Sequence, residues 1–112
     1  MKLIFVQVVC VGQKPNSSLL RFLAPSALSR SGHIRVERSL QVADSSYPRI
    51  YVAGDLIGNF VIKNARCAFE QAQVVAQNIV RAIQDQRPVE YRQQWWEGTT
   101  KITIGLVCRH FP

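Results

Sequence analysis

The sequence lacks several patterns that define whole classes of protein. No stretch of its 112 residues approaches the run of about eighteen apolar residues that a membrane-spanning helix needs. Its three cysteines, Cys10, Cys67 and Cys108, form neither a CxxC pair nor an even framework, which fits thiols packed in a reducing compartment. The two histidines, His33 and His110, have no cysteine or carboxylate at metal-ligand spacing, so we interpret both as ordinary surface residues and expect no bound metal.

Positive charge is not concentrated in any one part of the chain. Fourteen lysines and arginines against seven aspartates and glutamates give a formal charge of +7, but residues 1–60 hold seven bases and three acids, and residues 61–112 hold seven and four. Nucleic-acid-binding modules usually gather their bases and interleave them with aromatic residues, and the chain shows neither pattern. We therefore expect no nucleic-acid partner, and a small basic interaction module remains an alternative class.

The composition indicates one small globular unit. Apolar residues make up 47% and charged residues 19% of the chain, which is not typical of disorder. The apolar run at residues 3–11 predicts a buried strand, and it leads into a turn with Gly12 and Pro15 instead of a signal-peptide cleavage site. After Asn16, a candidate N-cap, we predict a short helix that Pro25 ends.

The remaining segments alternate between strand and helix patterns. Residues 33–37 and 40–42 predict a small antiparallel unit, and residues 50–53 predict a second buried strand. Residues 62–84 predict a long helix that packs against a sheet through one apolar stripe, formed by Ala65, Ala68, Phe69, Ala72, Val75, Ala76, Ile79 and Ile83. Residues 101–106 predict a last strand, whereas residues 107–112 carry no assignable periodicity.

Gly54 and Asp55 are the residues most suited to chemistry, because they end a predicted buried strand just before the long helix. Ligands of open parallel sheets bind beyond such strand ends. Glycine permits close backbone approach, a carboxylate accepts hydrogen bonds from sugar-type hydroxyls, and the helix start offers free N–H groups and a partial positive charge. Taken alone, however, such a pair more often closes a strand as a simple turn.

Several motifs occur together in an order that one family uses. They are Gly12-x-x-Pro15-Asn16, Gly32-x-Ile34-x-Val36, Leu40-Gln41-Val42, Ile50-Tyr51-Val52-Ala53-Gly54-Asp55 and Ala72-x-x-Val75-Ala76-x-Asn78-Ile79. Over residues 8–106 the chain resembles the pyridine-nucleotide-dependent flavoprotein oxidoreductases, most of all the apoptosis-inducing-factor-like branch with its ferroptosis-suppressor type and fungal relatives. The resemblance implies an α/β fold: a partial FAD/NAD(P)-binding (Rossmann-like) domain with a closing strand and a long helix, followed by a C-terminal strand segment.

The same resemblance implies a division of the chain. Residues 1–15 would end the nicotinamide domain and cross over, residues 16–86 would close the FAD-binding domain, and residues 87–112 would form a C-terminal segment. Residues 107–112 do not resemble the family's continuation, and we interpret them as a candidate non-native tail, such as translated intron sequence.

The resemblance also implies the site residues and the cofactors. Asp55 matches the aspartate that hydrogen-bonds the ribityl chain of FAD, with Gly54 beside it. Lys63 matches a lysine beside the flavin ring, and backbone groups at the helix start, near Asn64, approach the flavin's pyrimidine edge. The whole enzyme would take hydride from NAD(P)H onto FAD and pass electrons to a quinone-like acceptor. For Lys63 the alternative is a solvated lysine at a helix start.

Departures from the family pattern indicate a fragment. Cys10-Val11-Gly12 stands where the family usually has Ala-Thr-Gly, and the Gly-rich GxGxxG loops for both dinucleotides are absent. We therefore expect the chain to need the missing N-terminal part of the enzyme, to be inactive alone and to bind FAD weakly or not at all. A non-catalytic remnant is the alternative.

The expected location is intracellular, in the cytoplasm, at the mitochondrion or associated with a membrane. The aromatic pair Trp95-Trp96, with Arg92 and Lys101 nearby, is compatible with contact with a membrane surface, because indoles and bases favour that interface. Packing of a C-terminal subdomain is the alternative, and burial of the pair would count against the membrane.

Overall fold

A computed structural model describes residue 12 and residues 14–58, 62–104 and 107–111. Its elements in chain order are α1 (Ser18–Leu23), a 3₁₀ turn (Pro25–Ala27), α2 (Ala65–Ile83), a second 3₁₀ turn (Trp95–Gly98), β1 (Thr100–Ile104) and β2 (Val107–Phe111). The strand predicted at residues 3–11 lies outside the described residues. In the described part, no helix is both long enough and apolar enough to cross a membrane.

The short helix predicted after Asn16 is confirmed as α1, but its N-cap position is Ser17. The hydroxyl of Ser17 makes no capping bond within the helix and instead donates to the carbonyl of Gly32, with 2.5 Å between the oxygens. Gly32 has a φ of +80°, which favours glycine because side chains with a Cβ are strained there. Pro25 directly follows the helix and opens the first 3₁₀ turn, as its missing N–H and fixed φ favour.

Residues 28–58 fold without regular strands, so the strands predicted at residues 33–37 and 50–53 are wrong as continuous elements. Four isolated bridges connect the segment instead: Leu28 with Ile34, Ile34 with Ile57, Val36 with Val42, and Gln41 with Tyr51. Of the strand predicted at residues 50–53, only the bridge at Tyr51 is observed. The backbone bends at Leu40, whose φ is +66°, and this bend interrupts the extended conformation between the paired positions.

The hydrophobic core lies between α1 and this bridged segment. Its buried members are Leu20, Ala24, Ala27, Ile34, Val36, Leu40, Val42, Val52 and Ile57. Val74 and Val75 of α2 pack against it as half-buried neighbours. The long helix therefore covers one side of the core, although it contributes little apolar area to it.

The helix predicted over residues 62–84 is confirmed as α2, but its predicted packing face is wrong. The fully buried side chains of α2 are Cys67, Gln71 and Asn78. In contrast, Phe69 and Ile83, which belong to the predicted apolar stripe, are 60% and 81% exposed. The helix turns its polar amides toward the molecule because the segments beside it present backbone N–H and C=O groups that need partners.

Asn78 shows how this polar face works. Its amide Nδ2 donates to the carbonyls of Ser39 and Val89, at 2.9 Å each, and its Oδ1 accepts from the N–H of Val89 at 2.7 Å. One buried side chain thus joins α2 to the turn before Leu40 and to the segment that leaves the helix.

The C-terminal strands form an antiparallel hairpin. Thr100 of β1 lies opposite Phe111 of β2, and Ile104 lies opposite Val107. The strand predicted at residues 101–106 is confirmed in β1. The sequence predicted no element for the tail at residues 107–112, but its described part, Val107–Phe111, supplies the partner strand.

Replacing Asn78 tests the polar face of α2. Asn78→Ala removes three buried hydrogen bonds and leaves backbone groups of Ser39 and Val89 without partners. We expect the free energy of unfolding to fall by about 2–4 kcal/mol, as measured by urea titration with circular dichroism. The control is Gln77→Ala, at an exposed position next to Asn78. This substitution should change the free energy of unfolding by less than about 0.5 kcal/mol. Equal losses in both variants would contradict the assignment.

Candidate functional site

The predicted pair Gly54-Asp55 forms a tight turn beside α2. Gly54 has a φ of +83°, where any residue with a Cβ is strained. Its carbonyl accepts from the N–H of Ile57 at 3.1 Å, and its own N–H donates to Oε1 of Gln71 at 2.7 Å. A buried amide of α2 therefore fixes the turn that presents Asp55.

Asp55 is exposed and lines a small cavity. The cavity has a volume of about 270 Å³, and its lining residues are Lys14, Pro15, Asn16, His33, Asp55 and Leu56. Two basic side chains and one carboxylate thus meet at the end of the segment that was predicted to be a strand. A carboxylate in such a position accepts hydrogen bonds from hydroxyl donors, while the bases favour an anionic group close by.

Lys63 reaches the same cavity through His33. The Nζ of Lys63 contacts Nε2 of His33, and the Nδ1 of His33 lies 2.9 Å from the hydroxyl of Ser31. His33 also lies against Gly58, where an added Cβ would come within 2.8 Å of the Cβ of His33. Only glycine allows this approach, so the backbone at Gly58 contributes to the position of His33.

The start of α2 adds a second polar surface. The Oδ1 of Asn64 accepts from the N–H of Cys67 at 2.8 Å, which is the N-cap bond of a 19-residue helix. The Nδ2 of Asn64 donates to the carbonyl of Glu97 at 2.6 Å. Both ends of this amide are engaged within the protein, so the predicted contact between Asn64 and a cofactor depends on the backbone at the helix start.

Behind the helix start lies a buried polar cluster centred on Glu97. The carboxylate of Glu97 accepts from the hydroxyl of Tyr91, and it accepts from the N–H of Gln94 at 2.8 Å. Burial, then the hydrogen bond to Glu97, raises the pKa of the Tyr91 hydroxyl far above its ordinary value. Burial first, and the charge of Glu97 second, also raise the pKa of the Cys67 thiol, which disfavours the reactive thiolate.

The structure brings some of the predicted site residues together and adds others. Asp55 lies in the cavity wall, Gly54 forms its turn, and Lys63 contacts the wall through His33. The sequence interpretation of His33 as an ordinary surface residue missed this contact. Gln71 and Glu97 were not predicted either.

A sequence signal for the missed amides was present. Cys67, Gln71, Val74 and Asn78 recur at helical spacing on one face, so their polar members could have been recognised as facing the molecule. In the described part of the chain, no group of three or more His, Cys, Asp or Glu side chains is placed to hold a metal ion.

Several large apolar side chains are exposed in the described part of the chain. Phe22 of α1 is 88% exposed, and Trp95 and Trp96 are 84% and 40% exposed. The two indole rings pack edge to face, with centroids 6.3 Å apart. The burial that would have counted against membrane contact is therefore not observed in this chain.

Comparison with known proteins agrees with the motifs. The chain is 42% identical over 98 residues to Fe-regulated protein 8 of Mycosarcoma maydis, a match that covers 87% of this chain and 23% of that protein. The chain is homologous to a segment of that protein. It is also 36% identical over 83 residues to Ferroptosis suppressor protein 1 of Homo sapiens, covering 74% of this chain and 21% of that protein. No family model matches.

These matches confirm the predicted resemblance to the ferroptosis-suppressor type at the level of sequence. The chain spans between a fifth and a quarter of the length of the relatives that it matches.

The raised pKa of the half-buried Tyr91 hydroxyl predicts a pH dependence of stability. Because the folded pKa is raised, this group's contribution to stability is complete below about pH 10, the ordinary tyrosine pKa, and is lost as the pH rises beyond it. We expect the difference in melting temperature between the wild type and Tyr91→Phe to narrow as the pH rises from 9 to 11. Tyr47→Phe leaves the Tyr91–Glu97 bond in place and is the control. A constant difference across this range would refute the prediction.

Proposed function

We propose that the chain forms one wall of the flavin site of an NAD(P)H-dependent oxidoreductase of the apoptosis-inducing-factor-like type. In this proposal the whole enzyme transfers hydride from NAD(P)H to FAD and passes electrons to a quinone-like acceptor. The observation that carries it is the turn at Gly54-Asp55, which α2 holds through Gln71 within a segment homologous to a ferroptosis suppressor.

The residues present fit part of a flavin dinucleotide. Gly54 allows close backbone approach, and the exposed carboxylate of Asp55 is free to accept from ribityl hydroxyls. The start of α2 offers a partial positive charge, to which Lys63 adds a full one. FAD, when bound, supplies the hydride acceptor, and the protein supplies binding, orientation and charge.

The size of the cavity supports the proposal that this chain supplies only one wall of a flavin site and not the complete site. At about 270 Å³, the cavity beside Asp55 is smaller than the range of roughly 300–1,000 Å³ of pockets that enclose a drug-sized ligand. A flavin dinucleotide is larger than such a ligand. Further walls and the phosphate loops would have to come from other sequence.

Exposed apolar residues support the same proposal. Phe69 and Ile83, which belong to one apolar stripe of α2, are 60% and 81% exposed, and an exposed apolar stripe favours a surface that a partner covers. We propose that the missing N-terminal part of the enzyme covers them. A remnant that never meets this part would be non-catalytic, and that alternative predicts no flavin under any condition.

Flavin binding tests the role of Asp55. We expect the purified chain to bind FAD weakly or not at all, and a chimaera in which it replaces the matched segment of Fe-regulated protein 8 to retain FAD. Asp55→Asn in this chimaera removes charge-assisted hydrogen bonds. The dissociation constant of FAD, measured by fluorescence quenching, should rise about 10- to 100-fold.

Asp85→Asn is the matched control for this experiment. It removes the same charge beyond the C-terminal end of α2, and asparagine tolerates the positive φ of 59° at that position. The chimaera with this substitution should bind FAD like its parent. Equal weakening by both substitutions, or a chimaera without any FAD, would count against the proposed flavin site.

Lys63 gives a second measurement in the same chimaera. If its ammonium lies beside the flavin, it stabilises the negative charge of the reduced ring, and Lys63→Met should lower the two-electron reduction potential by about 30 mV or more. The control is Arg87→Met, which removes an exposed positive charge beyond the C-terminal end of α2 and away from Asp55 and Lys63 in sequence. An unchanged potential in the Lys63 variant would favour the alternative of a solvated lysine.

A further inference from the structure

Glu97 is an unusual residue to find at the centre of a small protein. Its side chain is 1% exposed, although a buried carboxylate is costly unless hydrogen bonds compensate for the lost water. Here both oxygens have partners: Oε2 accepts from the hydroxyl of Tyr91, and Oε1 accepts from the N–H of Gln94. These two bonds close the segment 91–97 into a compact loop around the carboxylate.

The backbone of the same residue reaches the start of α2. The carbonyl of Glu97 accepts from Nδ2 of Asn64 at 2.6 Å and from the thiol of Cys67 at 3.5 Å. Asn64 is the N-cap of α2, and Cys67 is the residue whose N–H it caps. The loop around the carboxylate therefore holds the N-cap amide in one orientation.

From the helix start the connection continues to the turn. One helical turn beyond Cys67, the buried Gln71 accepts from the N–H of Gly54 at 2.7 Å. A contiguous set of buried contacts thus runs from the carboxylate of Glu97 through the first two turns of α2 to the residue before Asp55.

We infer that Glu97, with Tyr91, is a positioning residue for the flavin-facing edge formed by the start of α2 and the turn at Gly54. The inference rests on the proposed function, because it names the residues that keep that edge in place. Neither Glu97 nor Tyr91 has to touch the flavin. If the loop at residues 91–97 only filled space, an apolar side chain at position 97 would fill it equally well and would avoid the free-energy cost of burying a carboxylate.

Amide hydrogen exchange on the full chain tests the positioning directly. Glu97→Met keeps the length of the side chain and removes both acceptors. We expect exchange at the amides of Cys67 and Gly54 to accelerate about tenfold relative to the core amides of Val42 and Val52. Glu97→Gln is the conservative variant: its carbonyl accepts one bond and its NH₂ donates to the Tyr91 oxygen, so protection should stay within about threefold of wild type.

Two further variants keep the test decisive. Tyr91→Phe removes one bond while the carboxylate stays, and it replaces Glu97→Met if that variant does not fold. The control is Glu90→Gln, which changes a half-exposed carboxylate of the same loop region that only makes ion pairs with Arg38 and Arg92. It should leave exchange at Cys67 and Gly54 unchanged.

Flavin affinity in the chimaera separates positioning from simple loss of stability. Asn78→Ala weakens the far half of α2 and serves as a control for destabilisation. We expect Glu97→Met to weaken FAD binding at least tenfold, Glu97→Gln to restore it to within about threefold of the parent, and Asn78→Ala to leave it within the same range.

The outcomes distinguish this inference from the proposed function. Uniform acceleration at all amides, or no acceleration at Cys67 and Gly54, would overturn the positioning role. Equal weakening of FAD binding by Glu97→Met and Asn78→Ala would do the same. A chimaera without FAD would count against the proposed flavin site, whereas the exchange pattern in the full chain would still decide whether Glu97 positions this edge.

Discussion

The described part of this chain depends on buried side-chain amides that satisfy the backbone of segments without regular strands. Residues 28–58 make only isolated bridges, so many of their N–H and C=O groups need partners other than a sheet ladder. Gln71 and Asn78 of α2 supply two of them, at Gly54 and Ser39, and Asn78 also pairs with the backbone of Val89 in the segment that leaves the helix. Because each lost bond would leave a buried polar group unpaired, these two residues determine where α2 lies. The Gln71 contact places the first turns of α2 beside the turn at Gly54, whereas Asn78 holds the second half of the helix.

This polar packing has a consequence for the opposite side of the helix. With its amides turned inward, α2 leaves Phe69, Ile79 and Ile83 facing outward. Contact of this apolar stripe with water is unfavourable. Burying the stripe against further structure would stabilise the protein in proportion to the apolar area covered. One face of α2 is polar and bound to its own chain, and the other is apolar and exposed. Such a helix is suited to lie between this part of the protein and a further layer of structure. This arrangement agrees with a chain that spans 21–23% of the relatives it matches.

Sequence reasoning succeeded where a local signal decides the structure, and it failed where tertiary contacts do. Pro25 predicted where α1 ends, although the predicted N-cap Asn16 lies one residue before the observed one, and periodicity identified α2 to within a few residues. The predicted packing face of α2 was wrong. An apolar stripe shows only that a helix face favours burial; it does not show that the same chain contains the surface that buries it. Strands were predicted at residues 33–37 and 50–53 from side-chain pattern, but strand formation also needs a neighbouring strand in register. The role of His33 could not be predicted, since Lys63 lies 30 residues away in sequence.

The electrostatic arrangement at the site explains why a carboxylate is useful there. The start of α2 carries a partial positive charge, Lys14 lines the cavity beside Asp55, and the ammonium of Lys63 contacts the cavity wall through His33. Without Asp55 these positive groups would attract any anion, including a phosphate group at the wrong position of the ligand. In the proposed flavin site, a single acceptor at a fixed turn would make this edge selective, because the carboxylate would repel phosphate and accept hydrogen bonds from hydroxyl donors. The positive groups would then be left for the part of the ligand that gains negative charge. The value of such selectivity depends on the carboxylate staying in place. If this edge binds a flavin as proposed, the contacts from Glu97 through α2 to Gly54 are as relevant to recognition as Asp55 itself.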